Sequence, residues 1–372
     1  MRTASILEYL GARYALDVVV FREPGAPDPR SAFPSTLART IHVIELPYHS
    51  KAPAARAARN LVRLALARPP LNDRFRGFGG EIARCLGGRH YDLAVIEHFW
   101  CAPYLEQAAA HASLAILNLH NVESALYKRL AAAEPWPLSL AFGCFSRALR
   151  RMEGRWIPRF GAVLVASGED AGRVRRIAPR VAIHVYPNAI PAAPQPTPAE
   201  EDVIVFSGNL EYGPNVSAVR FFRSRVWPLV RGRWPGIRWR LVGRNSHAVA
   251  RYTQGDDRIE VTGPVENAVA ELAKARLAVA PLVAGSGTRI KILEAWAAGR
   301  AVVSTSLGAE GLPVRDGDHL LLRDTPDSFA AAVCGLLASP GERLRLGTAG
   351  RALLERDFTW PRAWEALAKS GV

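Results

Sequence analysis

Apolar residues fall along this chain in short runs, separated by longer stretches in which they recur every three or four positions. Runs bounded by turn residues predict buried strands, and the three-to-four spacing predicts amphipathic helices. In the first half the strand-like runs are 16–21, 41–46, 93–97, 115–119, 162–166 and 183–186. Between them, the helix predicted at 54–67 sets Leu61, Leu64 and Ala65 on one face and arginines on the other. The second half restarts the alternation at 203–207, 237–242, 259–261, 277–281, 301–304 and 319–322, and a helix at 358–369 closes it. Strands alternating with helices predict an α/β fold with parallel sheets. The chain opens on a predicted helix at 3–10, whereas a doubly wound domain ordinarily opens on a strand and its glycine loop. The first N-terminal strand is therefore expected to be missing.

Between the halves lies Pro191-Ala-Ala-Pro194-Gln-Pro196-Thr-Pro198, with four prolines in eight residues. Proline lacks the N–H that a helix or inner strand needs, so this stretch reads as a stiff linker. The expected division is a domain at 1–190, a linker at 191–200, a second domain at 201–357 and a terminal helix at 358–372. A cleft between two such domains is the expected place for a ligand.

With 372 residues, 49% of them apolar and 22% charged, the chain has material for two cores, which excludes disorder as the default. The net charge of +14 points towards nucleic acid, a membrane surface or an anionic substrate. Only five of the 48 basic residues are lysine, and the arginines are spread rather than massed. A GC-rich coding sequence would produce the same balance. Scattered arginines without an aromatic-basic motif argue against a nucleic-acid partner. Cys85, Cys101, Cys144 and Cys334 lack metal-ligand or disulfide spacing, which fits a reducing cytosol. With no secretory signal and no apolar run of roughly 18 residues, the reading is a soluble or peripheral cytoplasmic protein.

The most informative segment runs from Pro281 through Gly285-Ser286-Gly287-Thr288-Arg289-Ile-Lys291 to Glu294 and Gly299. A strand ends, a glycine loop follows, and a helix is predicted to begin near Thr288. Backbone N–H groups at a helix start, with the positive end of its dipole, can cradle a diphosphate. Thr288, Lys291 and Glu294 are three apart and share one stripe, so the lysine can meet a phosphate and the carboxylate ribose hydroxyls. A plain turn with a surface Lys291–Glu294 pair fits the same spacing. A second glycine turn, Phe206-Ser207-Gly208-Asn209-Leu210, follows the first strand of the second half and precedes a helix predicted from about Asn215. It reads either as a ligand loop or as a tight turn. His120, in Leu119-His120-Asn121-Val122-Glu123, ends a strand, where it can contact a sugar hydroxyl. The same residues also read as a helix start capped by Asn121. Asp256-Asp257 reads as a solvated turn. No Ser-His-acid or Cys-His grouping and no Walker lysine is present.

Taken in order, Phe206-Ser-Gly-Asn-Leu, Leu241-Val-Gly243, Val261-Thr-Gly263, Val279-Ala-Pro-Leu282, Gly285-Ser-Gly-Thr-Arg-Ile-Lys-Ile-Leu-Glu294-Ala and Ala301-Val-Val-Ser-Thr-Ser-Leu-Gly-Ala-Glu-Gly-Leu312 resemble the family 4 glycosyltransferases of GT-B fold, in particular their exopolysaccharide-type branch. The resemblance covers about 15–369 and is strongest at 204–312. It implies two Rossmann-like domains facing a cleft, acceptor side first and nucleotide-sugar side second. The implied reaction is a retaining transfer of a sugar from a nucleoside-diphosphate donor to a glycan or lipid-linked acceptor in polysaccharide biosynthesis. It needs no metal or cofactor, and the domains close over the donor.

The same resemblance implies site roles. Glu294 matches the second glutamate of the E-x7-E motif and holds the donor ribose, and His120 contacts the donor sugar. Gly208, Asn209, Gly243, Gly285, Ser286, Gly287, Thr288, Arg289 and Lys291 line the donor. His120, Glu294 and Lys291 are the candidate catalytic residues. Three positions depart from the pattern. Ser286 stands where the first glutamate is expected, and Asn209 and Pro214 stand where an arginine and a lysine normally bind phosphate. Arg289 and Lys291 are the nearest replacements for those cations.

A lipid-linked acceptor would bring the protein to the inner face of the cell membrane. Candidate contacts with an anionic membrane surface are Lys51, Arg56, Arg59 and Arg63, and Lys128, Arg129, Arg147, Arg150 and Arg151. A solvated basic face is the competing reading. Two further functional classes remain: a nucleotide-binding GT-B-like protein without transferase activity, and a sugar-nucleotide epimerase.

Overall fold

A computed structural model describes residues 2–34, 36–50, 52–285 and 289–369. The chain divides into two compact units, the first comprising 1–128 and 140–186 and the second 129–139 and 187–372. Segment 129–139 thus belongs with the second unit. Among the described residues twelve strands form three all-parallel sheets, and each coincides with a run of apolar residues predicted above.

In the first unit the strands are β1 (Asp17–Arg22), β2 (Thr40–Glu45), β3 (Tyr91–Glu97), β4 (Ala112–Asn118), β5 (Ala162–Val165) and β6 (Ala182–Val185). β1 pairs with β2, and β3 to β6 form a four-stranded sheet in sequence order. Helix Arg2–Gly11 precedes β1, as expected. β1 and β3 belong to separate sheets and meet through side chains: the Tyr91 hydroxyl donates to Asp17 Oδ2 at 3.0 Å. The core gathers on β4 and β5, where Leu117, Val163 and Val165 pack with Leu149, Trp156 and Val174 from the flanking helices, and Ile116 is also fully buried. Burying each aliphatic side chain contributes about 1.5–3 kcal/mol, which drives these runs into the sheet.

Helix Pro53–Ala65 exposes part of its apolar face. Leu61 is 68% and Val62 58% exposed, whereas Arg63 is buried, with Nε 2.9 Å from Asp73 Oδ2. Of the predicted apolar face, Leu61 and Ala65 are exposed and Leu64 is half-buried, while Arg63 on the other face is drawn in by Asp73. Proline at its start fits the helix, since the first N–H groups have no partner within it.

In the second unit the strands are β7 (Glu201–Ser207), β8 (Arg238–Val242), β9 (Ile259–Gly263), β10 (Ala275–Ala280), β11 (Val302–Ser304) and β12 (Leu321–Leu322). They form one sheet in the order β12-β11-β10-β7-β8-β9. Both faces are covered, which explains runs without polar alternation. Ile204, Phe206, Trp239 and Leu277 pack on one side with Phe222, Trp227 and Phe329. Val203, Val205, Val242 and Ala278 pack on the other with Ile292, Leu293 and Trp296. The proline-rich residues 191–200 form neither helix nor strand. Ala193 nevertheless accepts a hydrogen bond from Arg351 at 2.6 Å.

Asp256 departs from the expected solvated turn. It is 7% exposed and accepts hydrogen bonds from Trp227 Nε1 at 2.9 Å and Arg231 Nη1 at 2.8 Å. A carboxylate can be buried here because an indole and a guanidinium satisfy it.

Candidate functional site

Sheet order places the three predicted glycine turns together in the second unit. β10, β7 and β8 are neighbours, and Gly285, Gly208 and Gly243 follow their carboxyl ends. This is where an open parallel sheet presents backbone to a ligand. Gly208 N–H donates to Val242 O at 2.9 Å, and Leu210 N–H to Arg244 O at 3.0 Å, so the two turns run side by side. Gly208 has φ +144° and Gly243 has φ +151°. A Cβ on Gly243 would run into the Gly208 carbonyl, so only glycine fits.

Helix Gly213–Phe221 starts just after the first turn, and helix Ile290–Ala297 follows the Gly285 loop. Its first turn holds no acidic residue, leaving the positive end of the helix dipole uncompensated there. Ser286, Gly287 and Thr288, all expected to line the donor, lie outside the described residues.

Lys291 and Glu294 do not form the simple surface pair. The Lys291 ammonium donates to Asn215 Oδ1 at 2.9 Å and sits 5.1 Å from the Phe206 ring centroid. A Cβ on Gly208 would lie 3.6 Å from Lys291 Nζ, which places the cation over the Gly208 turn. Burial, reinforced by the charge of Arg289 and opposed by Glu294, lowers the Lys291 pKa to about 8. Glu294 Oε2 accepts from Ser207 Oγ at 3.1 Å. Burial raises its pKa, while Ser207 and Lys291 act the other way.

Arg289 is placed differently from the expectation of a phosphate cation. It is 6% exposed, and its Nε and Nη2 donate to Leu307 O at 3.3 and 3.2 Å. Its Nη2 lies 3.8 Å from Glu310. Nε and Nη2 are thereby committed to the protein, while Nη1 lies against Gly285, 2.8 Å from where a Cβ would stand, and Lys291 is the cation over the Gly208 turn. Asn209 has a supporting role: its Oδ1 accepts from Glu211 N and Asn245 Nδ2, and its carbonyl accepts from Asn215 Nδ2.

Arg129 is also placed differently, inside the second unit rather than on a basic surface patch. Its Nη1 donates to Gly285 O at 2.6 Å, and its two terminal nitrogens meet both Glu310 oxygens at 2.6 Å.

In the first unit, His120 follows the carboxyl end of β4. His120 Nε2 lies 2.9 Å from Glu97 Oε2, and Glu97 also accepts from Asn118 Nδ2 at 2.7 Å and Thr3 Oγ1 at 3.0 Å. These donors hold the Glu97 carboxyl below its usual range although burial acts in the opposite sense. Arg2, 4% exposed, donates to Asn118 Oδ1 at 2.7 Å and anchors the network. His98 stacks on Trp100 at a centroid distance of 4.1 Å, meets His120 at 3.8 Å with the rings tilted by 41°, and has φ +67°. Burial, with the charge of His120 in support, lowers its pKa to about 3 and keeps it neutral. Glu97, His98 and His120 bring three metal-ligating atoms within 4.8 Å of one another. The two imidazoles are tilted by 41° against each other, and Glu97 already accepts from His120, Asn118 and Thr3. That arrangement suits a positioned histidine better than an ion.

Sequence reasoning missed Glu97, His98, Ser207, Asn215, Arg129 and Glu310. Glu97 and His98 carried a signal, since they end a predicted strand next to the one ending at His120. Arg129 carried none, because its partners are more than 150 positions away.

This architecture defines a class. The chain has the GT-B fold: a sucrose-phosphate synthase from Thermosynechococcus elongatus superposes with TM-score 0.70 over 99% of this chain and 91% of that one, at 16% identity. HepE of Anabaena in complex with UDP and glucose superposes with TM-score 0.63, covering 99% and 94%, at 13% identity. Residues 201–339 match the family described as Glycosyl transferases group 1. A phosphatidyl-myo-inositol mannosyltransferase of Mycolicibacterium smegmatis is 30% identical over 190 residues, 47% of this chain and 48% of that protein. The chain spans about half the length of the curated relatives it matches. Among the described residues no helix is long and apolar enough to cross a membrane.

Proposed function

We propose that this protein transfers a sugar from a nucleoside-diphosphate sugar to a glycan or lipid-linked acceptor, with retention of configuration, in polysaccharide assembly. The observation that carries this reading is the Lys291 ammonium, held by Asn215 over the Gly208 turn, with Glu294 one turn further along the same helix. A diphosphate at the glycine turns receives the ammonium and backbone N–H groups, and Glu294 accepts from the ribose hydroxyls. In the reaction the bond from the anomeric carbon to the diphosphate oxygen breaks, the acceptor oxygen bonds to that carbon, and the acceptor hydroxyl's proton passes to the departing diphosphate. Lys291 and the helix start meet the charge on the leaving group, the electrostatic role a metal ion fills elsewhere, so the reading needs no metal. His120, fixed by Glu97, contacts the sugar.

A cytoplasmic protein peripheral to the inner membrane face fits the exposed apolar stripe of helix Pro53–Ala65. Leu61, Val62 and Leu66 lie in solvent on a helix that also carries exposed Arg56. Such a helix can lie in the headgroup plane of anionic lipid.

The test is incubation of purified protein with a panel of nucleotide sugars and lipid-linked or oligosaccharide acceptors. Mass spectrometry should detect a product heavier by one sugar residue for one donor, with the donor's anomeric configuration in its NMR spectrum. An inverted product contradicts retention, and no product with any pair contradicts transfer.

A further inference from the structure

Segment 129–139 precedes the matched family domain by more than sixty residues, yet it packs as part of the same compact unit. Two of its side chains reach the elements that carry the two glycine turns. Arg129 binds the Gly285 carbonyl and, with two parallel N–H···O bonds, the Glu310 carboxylate. Glu134 accepts from Ser217 Oγ at 2.5 Å and Arg220 Nη1 at 2.7 Å on helix Gly213–Phe221, which follows the Gly208 turn. Glu310 lies between two guanidinium groups, since Arg289, the residue that begins helix Ile290–Ala297, stands 3.8 Å away. The bidentate pair fixes distance and angle together, which a single ammonium cannot do.

The geometry points to Arg129 as a positioning residue for the diphosphate half of the donor, acting through the Gly285 loop without touching the ligand. The inference rests on the donor-site reading above and adds to it a residue outside the family domain. Gly285 has φ +136°, a backbone state that is not held by a side chain of its own. Arg129 supplies that restraint from outside, and Glu310 keeps the guanidinium in register. Glu134 steadies the helix behind the opposite turn in the same way. The nucleoside half of the donor is assigned to Glu294, which Arg129 does not contact, so the two halves should respond separately to its loss.

The experiment compares the affinity of the intact protein for UDP, GDP, ADP and dTDP with that for the matching monophosphates, by isothermal titration calorimetry. Arg129→Ala should weaken the preferred diphosphate at least tenfold and leave its monophosphate within about twofold. Arg129→Lys, which can reach only one partner at a time, should fall between wild type and alanine. Glu310→Gln, which keeps shape and removes the charge, should reproduce the selective loss if Arg129→Ala does not fold. An equal loss for both nucleotides would mark a merely structural role and overturn the inference. Diphosphate affinity within twofold of wild type in Arg129→Ala or Glu310→Gln would overturn it too. If wild type binds none of the diphosphates, the donor-site reading fails and this inference falls with it.

Discussion

Lys291 Nζ donates to Asn215 Oδ1 at 2.9 Å, joining the helix after the Gly285 loop to the helix after the Gly208 turn. Asn215 returns to the first turn through its amide, which donates to Asn209 O at 2.8 Å. One amide side chain therefore sets the position of the cation over the turn expected to hold phosphate.

The pKa of about 8 makes this cation conditional. A bound anion favours the charged ammonium, so nucleotide binding raises the pKa and takes up a proton when the free lysine is neutral. Diphosphate affinity should be flat below pH 8 and fall as pH rises through it, by up to about tenfold per unit. Calorimetry between pH 7 and 9.5 tests this. Lys291→Ala should remove the slope and lower kcat far more than Arg244→Ala does. Equal effects of the two substitutions would contradict the phosphate role.

Gly243 cannot accept a side chain without moving the Gly208 carbonyl. Gly243→Ala should cost about 1–3 kcal/mol of stability from backbone strain. It should also weaken diphosphate binding. Urea denaturation and calorimetry read the two effects, and an alanine variant that matches wild type in both would remove the paired-turn geometry from the account.

Glu123 and Glu153 form a buried carboxyl pair in the first unit, 5% and 1% exposed. Burial, then the charge of Glu153, raises the Glu123 pKa to about 8. The folded state thus keeps a proton that the unfolded chain loses above about pH 4.5, and stability should decline as pH rises from there to 8. Glu123→Gln should melt at a higher temperature than wild type at pH 8, with the gap closing at pH 4.5. A constant gap would mean the pair does not titrate as described.

The exposed Leu61 and Val62 of helix Pro53–Ala65 make the membrane reading testable. Wild type should co-sediment with vesicles containing anionic lipid and less with zwitterionic ones, and the double variant Leu61→Glu, Val62→Glu should remain in the supernatant. Binding indifferent to anionic lipid, or to the double substitution, would contradict peripheral attachment through this face.

The contrast between what was legible and what was not is physical. Strands buried on both faces, such as β5, β7 and β10, write themselves as uninterrupted apolar runs, and each of the twelve strands among the described residues coincides with a predicted run, including the short Leu321–Leu322. The glycine turns were visible because each follows such a run. The orientation of helix Pro53–Ala65 was not, because it depends on Arg63 finding Asp73 ten positions later. Arg289 reads as a free cation beside the glycine loop, and only the folded chain shows it spent on Leu307 and Glu310. Asp256 reads as a surface acid for the same reason: its partners Trp227 and Arg231 lie on a separate helix.

The central claim is a nucleoside-diphosphate site built on Lys291 and Glu294. The most direct test is the melting temperature of wild type and Glu294→Ala with UDP, GDP, ADP and dTDP at millimolar concentration. A ligand at about 100 times its Kd adds roughly 2.7 kcal/mol, a resolvable shift. The account predicts a selective rise for one nucleotide in wild type and its loss in Glu294→Ala. No shift with any nucleotide, or an equal shift in both proteins, would contradict it.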